Sequence, residues 1–176
     1  MADFDPAWTF TQQFEDDPRH PGRVTIDSNG ARVCRGMNEA SNPELWRDIP
    51  QGGAPTLEGC KATACNRYWL PWCLFAVDDQ ELANRIFDCT FNSGEQREGE
   101  ILQTALAGLG YIDRSQIDGF IGRITINAAN RACLQGKGAA LIDSLRAQRV
   151  AFLEAWAAKN PQNEKYLAGL LTRAEA

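Results

Sequence analysis

The chain has 176 residues, 44% hydrophobic and 23% charged, with a net charge of −5. This composition is ordinary for a globular protein large enough to bury a core, and the acidity argues against nucleic acid or an anionic membrane as the main partner. No apolar stretch reaches the roughly 18 residues of a membrane span, and the N-terminal MADFDPAWTF lacks the apolar h-region of a Sec signal peptide.

Asp5-Pro6 starts the first helix, since Asp can cap and Pro is tolerated at the first helical position. Phe10 and Phe14, four apart, share a face. Pro18 and Pro21-Gly22 stop the helix, which leaves Glu15 at its end. Two β-branched runs follow, Arg23–Asp27 and Ala31–Arg35, joined by Ser28-Asn29-Gly30. Asn-Gly between such runs predicts a hairpin. Residues 38–56, rich in Pro, Gly and Asn, read as a connector with at most a short helix at Pro43–Trp46. Thr56 opens another helix leading to Tyr68, Trp69 and Trp72, with Pro71 breaking it. These rings could line a sugar platform, although such a cluster is more often core.

Asp79–Asn92 is an amphipathic helix with Leu82, Ile86 and Cys89 in one stripe, ended by Ser93-Gly94. Further helices are predicted over Glu98–Leu109, Ile124–Leu134, Leu141–Lys159 and Asn163–Arg173, with a loop over Tyr111–Gly122. No internal repeat or low-complexity segment is present.

The chemistry concentrates in the N-terminal stretch. A carboxyl at a helix C-terminus sits in the negative end of the macrodipole. Beside apolar Phe14, its charged form is further disfavoured. Both favour the protonated acid that general acid catalysis needs. A second carboxylate on the hairpin, Asp27, could orient or deprotonate a water. Two carboxyls across a cleft are the machinery of glycoside hydrolysis, and a separation of about 6.5–9.5 Å predicts inversion. The same residues also read as a solvated acidic helix end and a turn residue.

Six cysteines, at 34, 60, 65, 73, 89 and 133, suit disulfides in an oxidising compartment or buried reduced thiols. A zinc site is the weaker reading, because no CxxC pair exists and the sole histidine, His20, lies far away in sequence. Neither a metal nor another cofactor is expected.

Three segments resemble glycoside hydrolase family 108, the phage-type N-acetylmuramidases, joined to a C-terminal peptidoglycan-binding-like region. In the first, the family's helix-ending Glu, its Asp before a Gly turn, and its Thr and Gly-Ile fall on Glu15, Asp27, Gly30, Val33 and Gly36-Met37. The second carries Tyr68-Trp69, Ala83, Phe87-Asp88 and Asn92-Ser93-Gly94. The third runs from Leu102-Gln103 and Leu106 through Asp118-Gly119, Gly122 and Thr125. Asp16-Asp17 replaces the Gly-Gly that usually follows the family's Glu, the Glu-to-Asp interval is longer than usual, and Val33 stands where a Thr would hold the attacking water.

The resemblance implies a mainly α, lysozyme-like α+β fold, a helical bundle with one small β-hairpin near the N-terminus. Residues 1–95 would form the catalytic region and 96–176 a helical peptidoglycan-binding-like region, packed as one unit. It implies a muramidase cutting the β-1,4 bond between N-acetylmuramic acid and N-acetylglucosamine. Glu15 would be the acid, Asp27 would position water, and Thr25 would stand in for the missing Thr. Tyr68, Trp69 and Trp72 would bind the peptidoglycan glycan strand, Glu39 is a reserve acid or simply a surface residue, and Asp88 and Asn92, on the helix opposite the cleft, read as helix-end hydrogen bonders.

Without a Sec signal, delivery to the periplasm or cell wall would pass through a holin, as for a phage endolysin. For an antibacterial effector it would pass through a secretion apparatus, and that reading brings a cognate inhibitor protein as partner. A catalytically decayed cell-wall-binding or interaction protein of the same fold is the alternative.

Overall fold

The computed structural model describes residues 1–176, the side chain at position 95 apart. Helix α1, Phe4–Glu15, buries Ala7, Trp8 and Thr11 at the spacing of one helical face. It ends where expected, although the stop lies before Pro18. Asp16 turns extended (φ −122°, ψ 141°), and its carboxylate accepts the Gly22 N–H at 2.8 and 3.0 Å. That clasp closes the loop and leaves Glu15 as the last helical residue.

The expected hairpin is one half of a three-stranded antiparallel sheet. Strand β1 (Thr25–Ile26) pairs with β2 (Arg32–Cys34), Thr25 opposite Val33, and β2 pairs with β3 (Met37–Asn38), Val33 opposite Asn38. The third strand exists because the chain reverses at Arg35-Gly36, both at positive φ (50° and 76°), a conformation glycine adopts freely.

Helices α2 (Pro43–Trp46) and α3 (Leu57–Ala64) follow, α3 capped by the Thr56 side chain on Gly59 N–H and continuing into a π-helical turn at Cys65–Trp69. Helix α4, Gln80–Ser93, starts at the Asp79 cap, and α5 takes Glu95–Gly108. The C-terminal half is α6 (Arg123–Leu134), α7 (Gly138–Lys159) and α8 (Glu164–Glu175). The fold class is therefore mainly α and lysozyme-like, with its small sheet near the N-terminus, as expected.

α4 is the central helix. Its Leu82, Ile86 and Phe87 are fully buried, in one cluster with Trp8 of α1, Leu102 and Leu106 of α5, Ile126 of α6 and Leu141 of α7. The Phe87 ring meets Phe4, Trp69 and Phe91 at 5.4, 6.0 and 5.9 Å. Burying one such ring contributes about 2–3 kcal/mol.

The third resembling segment forms a single polar knot. Gln103 Oε1 accepts the Asp118 and Gly119 N–H groups, while its Nε2 donates to Asp118 Oδ1, the Phe120 carbonyl and Thr125 Oγ1. Gly99 permits this, since a Cβ there would meet the Gly119 carbonyl oxygen at 1.9 Å. The motif thus ties the 109–122 loop to α5 and α6.

The disulfide expectation is not met: all six cysteines are free thiols. They are dispersed over different elements, from β2 and α3 to α4 and α6. Cys34 of β2 and Cys60 of α3 do come together, both fully buried, and the Cys34 thiol donates to the Gly22 carbonyl at 3.3 Å. Burial pushes the Cys60 thiol up to about 12. Among the described residues no cluster of His, Cys, Asp and Glu could hold a metal ion, and no helix is long and apolar enough to cross a membrane.

Candidate active site

Glu15 emerges from the last turn of α1 into a seat built by three other elements. A Cβ on Gly36, in the turn between β2 and β3, would lie 2.8 Å from Glu15 Oε2 and 2.6 Å from the Phe91 ring of α4. The absence of a side chain at Gly36 is what admits the carboxylate. From the other side, Arg173 of α8 donates Nη1–H to Glu15 Oε1 at 2.5 Å. The apolar setting expected around Glu15 is thus only half right. Phe14 is near, but its ring lies 5.4 Å beneath the Arg173 guanidinium.

Arg173 is itself held. Its Nε and Nη2 both donate to Asp88 of α4, at 3.0 and 2.7 Å, and Arg149 of α7 donates to the same carboxylate at 3.1 Å. Asp88 is fully buried, and both arginines are nearly so. Burial works against the Arg173 charge, yet Asp88 and Glu15 outweigh it and hold its pKa above the ordinary guanidinium value. The helix-end role expected for Asp88 is therefore wrong, because it anchors two arginines from the C-terminal half. Asn92, one turn on, is exposed.

Asp27 opens the turn between β1 and β2, accepting the Gly30 N–H at 2.9 Å on its carbonyl, and is exposed to solvent. Its Oδ1 accepts the Ser28 N–H at 2.6 Å and its Oδ2 accepts from Asn38 Nδ2 at 3.1 Å. Asn38 is fixed in turn, its Oδ1 taking the Ala40 N–H at 2.8 Å. Directly opposite residues of an antiparallel ladder share a face, so Thr25, Val33 and Asn38 form one cross-sheet row. Val33, which cannot hydrogen-bond, is flanked by a hydroxyl and an amide. The ladder carries on to Asp27, whose N–H donates to the Ala31 carbonyl at 2.9 Å. Alternation therefore brings Thr25 and Asp27 to the same side.

The three aromatic residues separate. Trp69 is 2% exposed and packs on Phe4 and Phe87, so it belongs to the core and offers no face to a sugar. Tyr68 is half-buried against Phe91, the ring that seats Glu15. Trp72 is half-buried with its ring 5.5 Å from exposed Phe120. Glu39 is salt-bridged to Arg32 at 2.7 Å. That hydrogen bond holds its carboxyl below the usual range.

Sequence reasoning missed Arg173, Arg149, Asn38 and Glu98. Glu98 of α5 is 1% exposed, and its Oε1 has no partner. Burial raises its pKa from 4.5 to about 8, against the pull of Arg149 and the Cys89 thiol. The folded protein then holds a proton here that the unfolded chain releases above 4.5, so stability falls as pH rises from about 4.5 to 8 and levels off beyond. Melting curves at pH 5 and pH 8.5 are expected to show a drop of several degrees in the wild type, and a clearly smaller one in Glu98→Gln.

The family described as "Predicted Peptidoglycan domain" matches residues 98–175, the stretch that carries Glu98, Arg149 and Arg173. Among solved structures, that of Brucella abortus SagA superposes with a TM-score of 0.62 at 19% identity, covering 97% of this chain and 92% of that one. That likeness is one of fold. No curated protein matches the chain.

Proposed function

We propose that this chain is a peptidoglycan muramidase acting on the β-1,4 bond between N-acetylmuramic acid and N-acetylglucosamine, in keeping with its resemblance to glycoside hydrolase family 108. The observation that carries the reading is the Glu15 seat, a helix-ending carboxyl received by a side-chain-free Gly36 and gripped by Arg173. The match of residues 98–175 to the "Predicted Peptidoglycan domain" family supports peptidoglycan as the partner. In this mechanism Glu15 protonates the glycosidic oxygen. Asp27, oriented by Asn38, directs water to the anomeric carbon, with Thr25 supplying the hydroxyl that Val33 lacks. Tyr68 and Trp72 are the rings left to contact the sugar. Residues 1–95 form the catalytic region and 96–176 the wall-associated region. The protein reaches the periplasm or cell wall as an endolysin or as an injected effector, the latter with a cognate inhibitor.

Digestion of purified peptidoglycan, with borohydride reduction and mass spectrometry of the products, tests this. The expected products carry reduced N-acetylmuramic acid at their ends; N-acetylglucosamine ends would instead make the enzyme a glucosaminidase. Val33, together with the Asp16-Asp17 that replaces the family's Gly-Gly, favours a second reading, a wall-binding protein that has lost catalysis. Pelleting with cell walls without any loss of turbidity would support it.

A further inference from the structure

Arg173 spends two of its nitrogens on a fully buried carboxylate before it reaches Glu15. Nε lies 3.0 Å from both Asp88 oxygens, Nη2 lies 2.7 Å from Oδ1, and Nη1 is left to donate to Glu15 Oε1 at 2.5 Å. A guanidinium fixed at one edge by a bidentate carboxylate has a set plane, so its remaining donor points in one direction. Glu15 is met at its other oxygen by the Gly36 turn. The carboxyl is therefore clamped between an arginine from α8 and a backbone turn of the sheet, with Phe14 stacked under the arginine.

We infer that Arg173 is a positioning residue for catalysis: by holding Oε1 of Glu15 against the Gly36 turn it fixes the plane and place of the carboxyl. The inference rests on the muramidase reading. It assigns the C-terminal half a part in the chemistry beyond wall association, because an arginine 158 residues away completes the seat of the acid. A loose acid is a poor one, since misplacement by about 1 Å costs up to roughly 100-fold in rate.

The test compares Arg173→Met, Arg173→Lys and Arg85→Met with wild type, reading kcat and KM for muropeptide release alongside melting temperature. Arg85 anchors the end of α8 through the Ala176 carbonyl at 2.8 Å, and pairs with Glu81, without a hydrogen bond or ion pair to Glu15 or Asp88. The expected result is a kcat loss of about 10- to 100-fold for Arg173→Met at a KM within about twofold, partial recovery in Arg173→Lys, and kcat within about twofold for Arg85→Met despite a lowered melting temperature. An unchanged kcat in Arg173→Met, or kcat losses that follow melting temperature equally in Arg173→Met and Arg85→Met, would overturn the inference while leaving the muramidase reading standing. A wild type that releases nothing would overturn both.

Discussion

Asp88→Ala is expected to destabilise the protein by about 3–5 kcal/mol, the usual cost of removing one partner from a buried ion pair. For a chain of this length that corresponds to a fall of roughly 10 °C in melting temperature. The reason is the company Asp88 keeps. It is 0% exposed and is the acceptor for both Arg149 and Arg173, each no more than 6% exposed. Without it, two guanidinium groups stay buried in a wall of Phe10, Ile101 and Leu145. The cost belongs to the stranded charges, so it is largely recoverable. Asp88→Leu combined with Arg149→Met and Arg173→Met is expected to melt well above Asp88→Ala, because buried ion clusters are often replaced by apolar side chains at little loss. Thermal melts of the two proteins check this; equal melting temperatures would show that the network is worth more than its desolvation.

Gly36→Ala is the second large effect, and it strikes stability and the site together. An alanine at φ +76° costs about 1–2 kcal/mol of backbone strain. Its Cβ would also press on the Phe91 ring at 2.6 Å and on the Glu15 carboxyl at 2.8–2.9 Å. The ring has little room to yield, packed against Trp8, Tyr68 and Phe87, and such overpacking adds about 1–3 kcal/mol. Glu15 is then forced off Arg173, and muropeptide release is expected to fall by about 100-fold. Gly52→Ala is the comparison, because Gly52 has φ +88° and nothing within 4 Å. It should cost only the strain, about 1 kcal/mol, and leave release unchanged.

The parts of this molecule that local patterns specify were legible. The end of α1 at Glu15, the Asn-Gly turn and the Asp79 cap of α4 each depend on residues within about four positions of one another. The third strand was not, because two residues, Met37-Asn38, carry no alternation to read. What creates it is a positive φ at Arg35, a residue that gives no warning of it. Asp88 did leave a trace, an acid between Phe87 and Cys89 on the buried side of an amphipathic helix. Its partners lie 61 and 85 residues away, and no periodicity spans that distance. The aromatic cluster shows the same limit. Composition could not say which ring faced inward, and the π-helical turn at Cys65–Trp69 put Trp69 in the core while leaving Tyr68 half-covered.

The most direct test is muropeptide release from purified peptidoglycan by wild type and Glu15→Gln side by side, with reducing-end analysis and under both oxidising and reducing conditions. The account predicts release ending in N-acetylmuramic acid for the wild type, and a loss of about 10²- to 10⁴-fold in Glu15→Gln, the share a general acid contributes, at a nearly unchanged melting temperature. Release that survives the substitution would contradict the assignment of Glu15. No release from either protein would contradict the muramidase itself and leave a cell-wall-binding protein in its place.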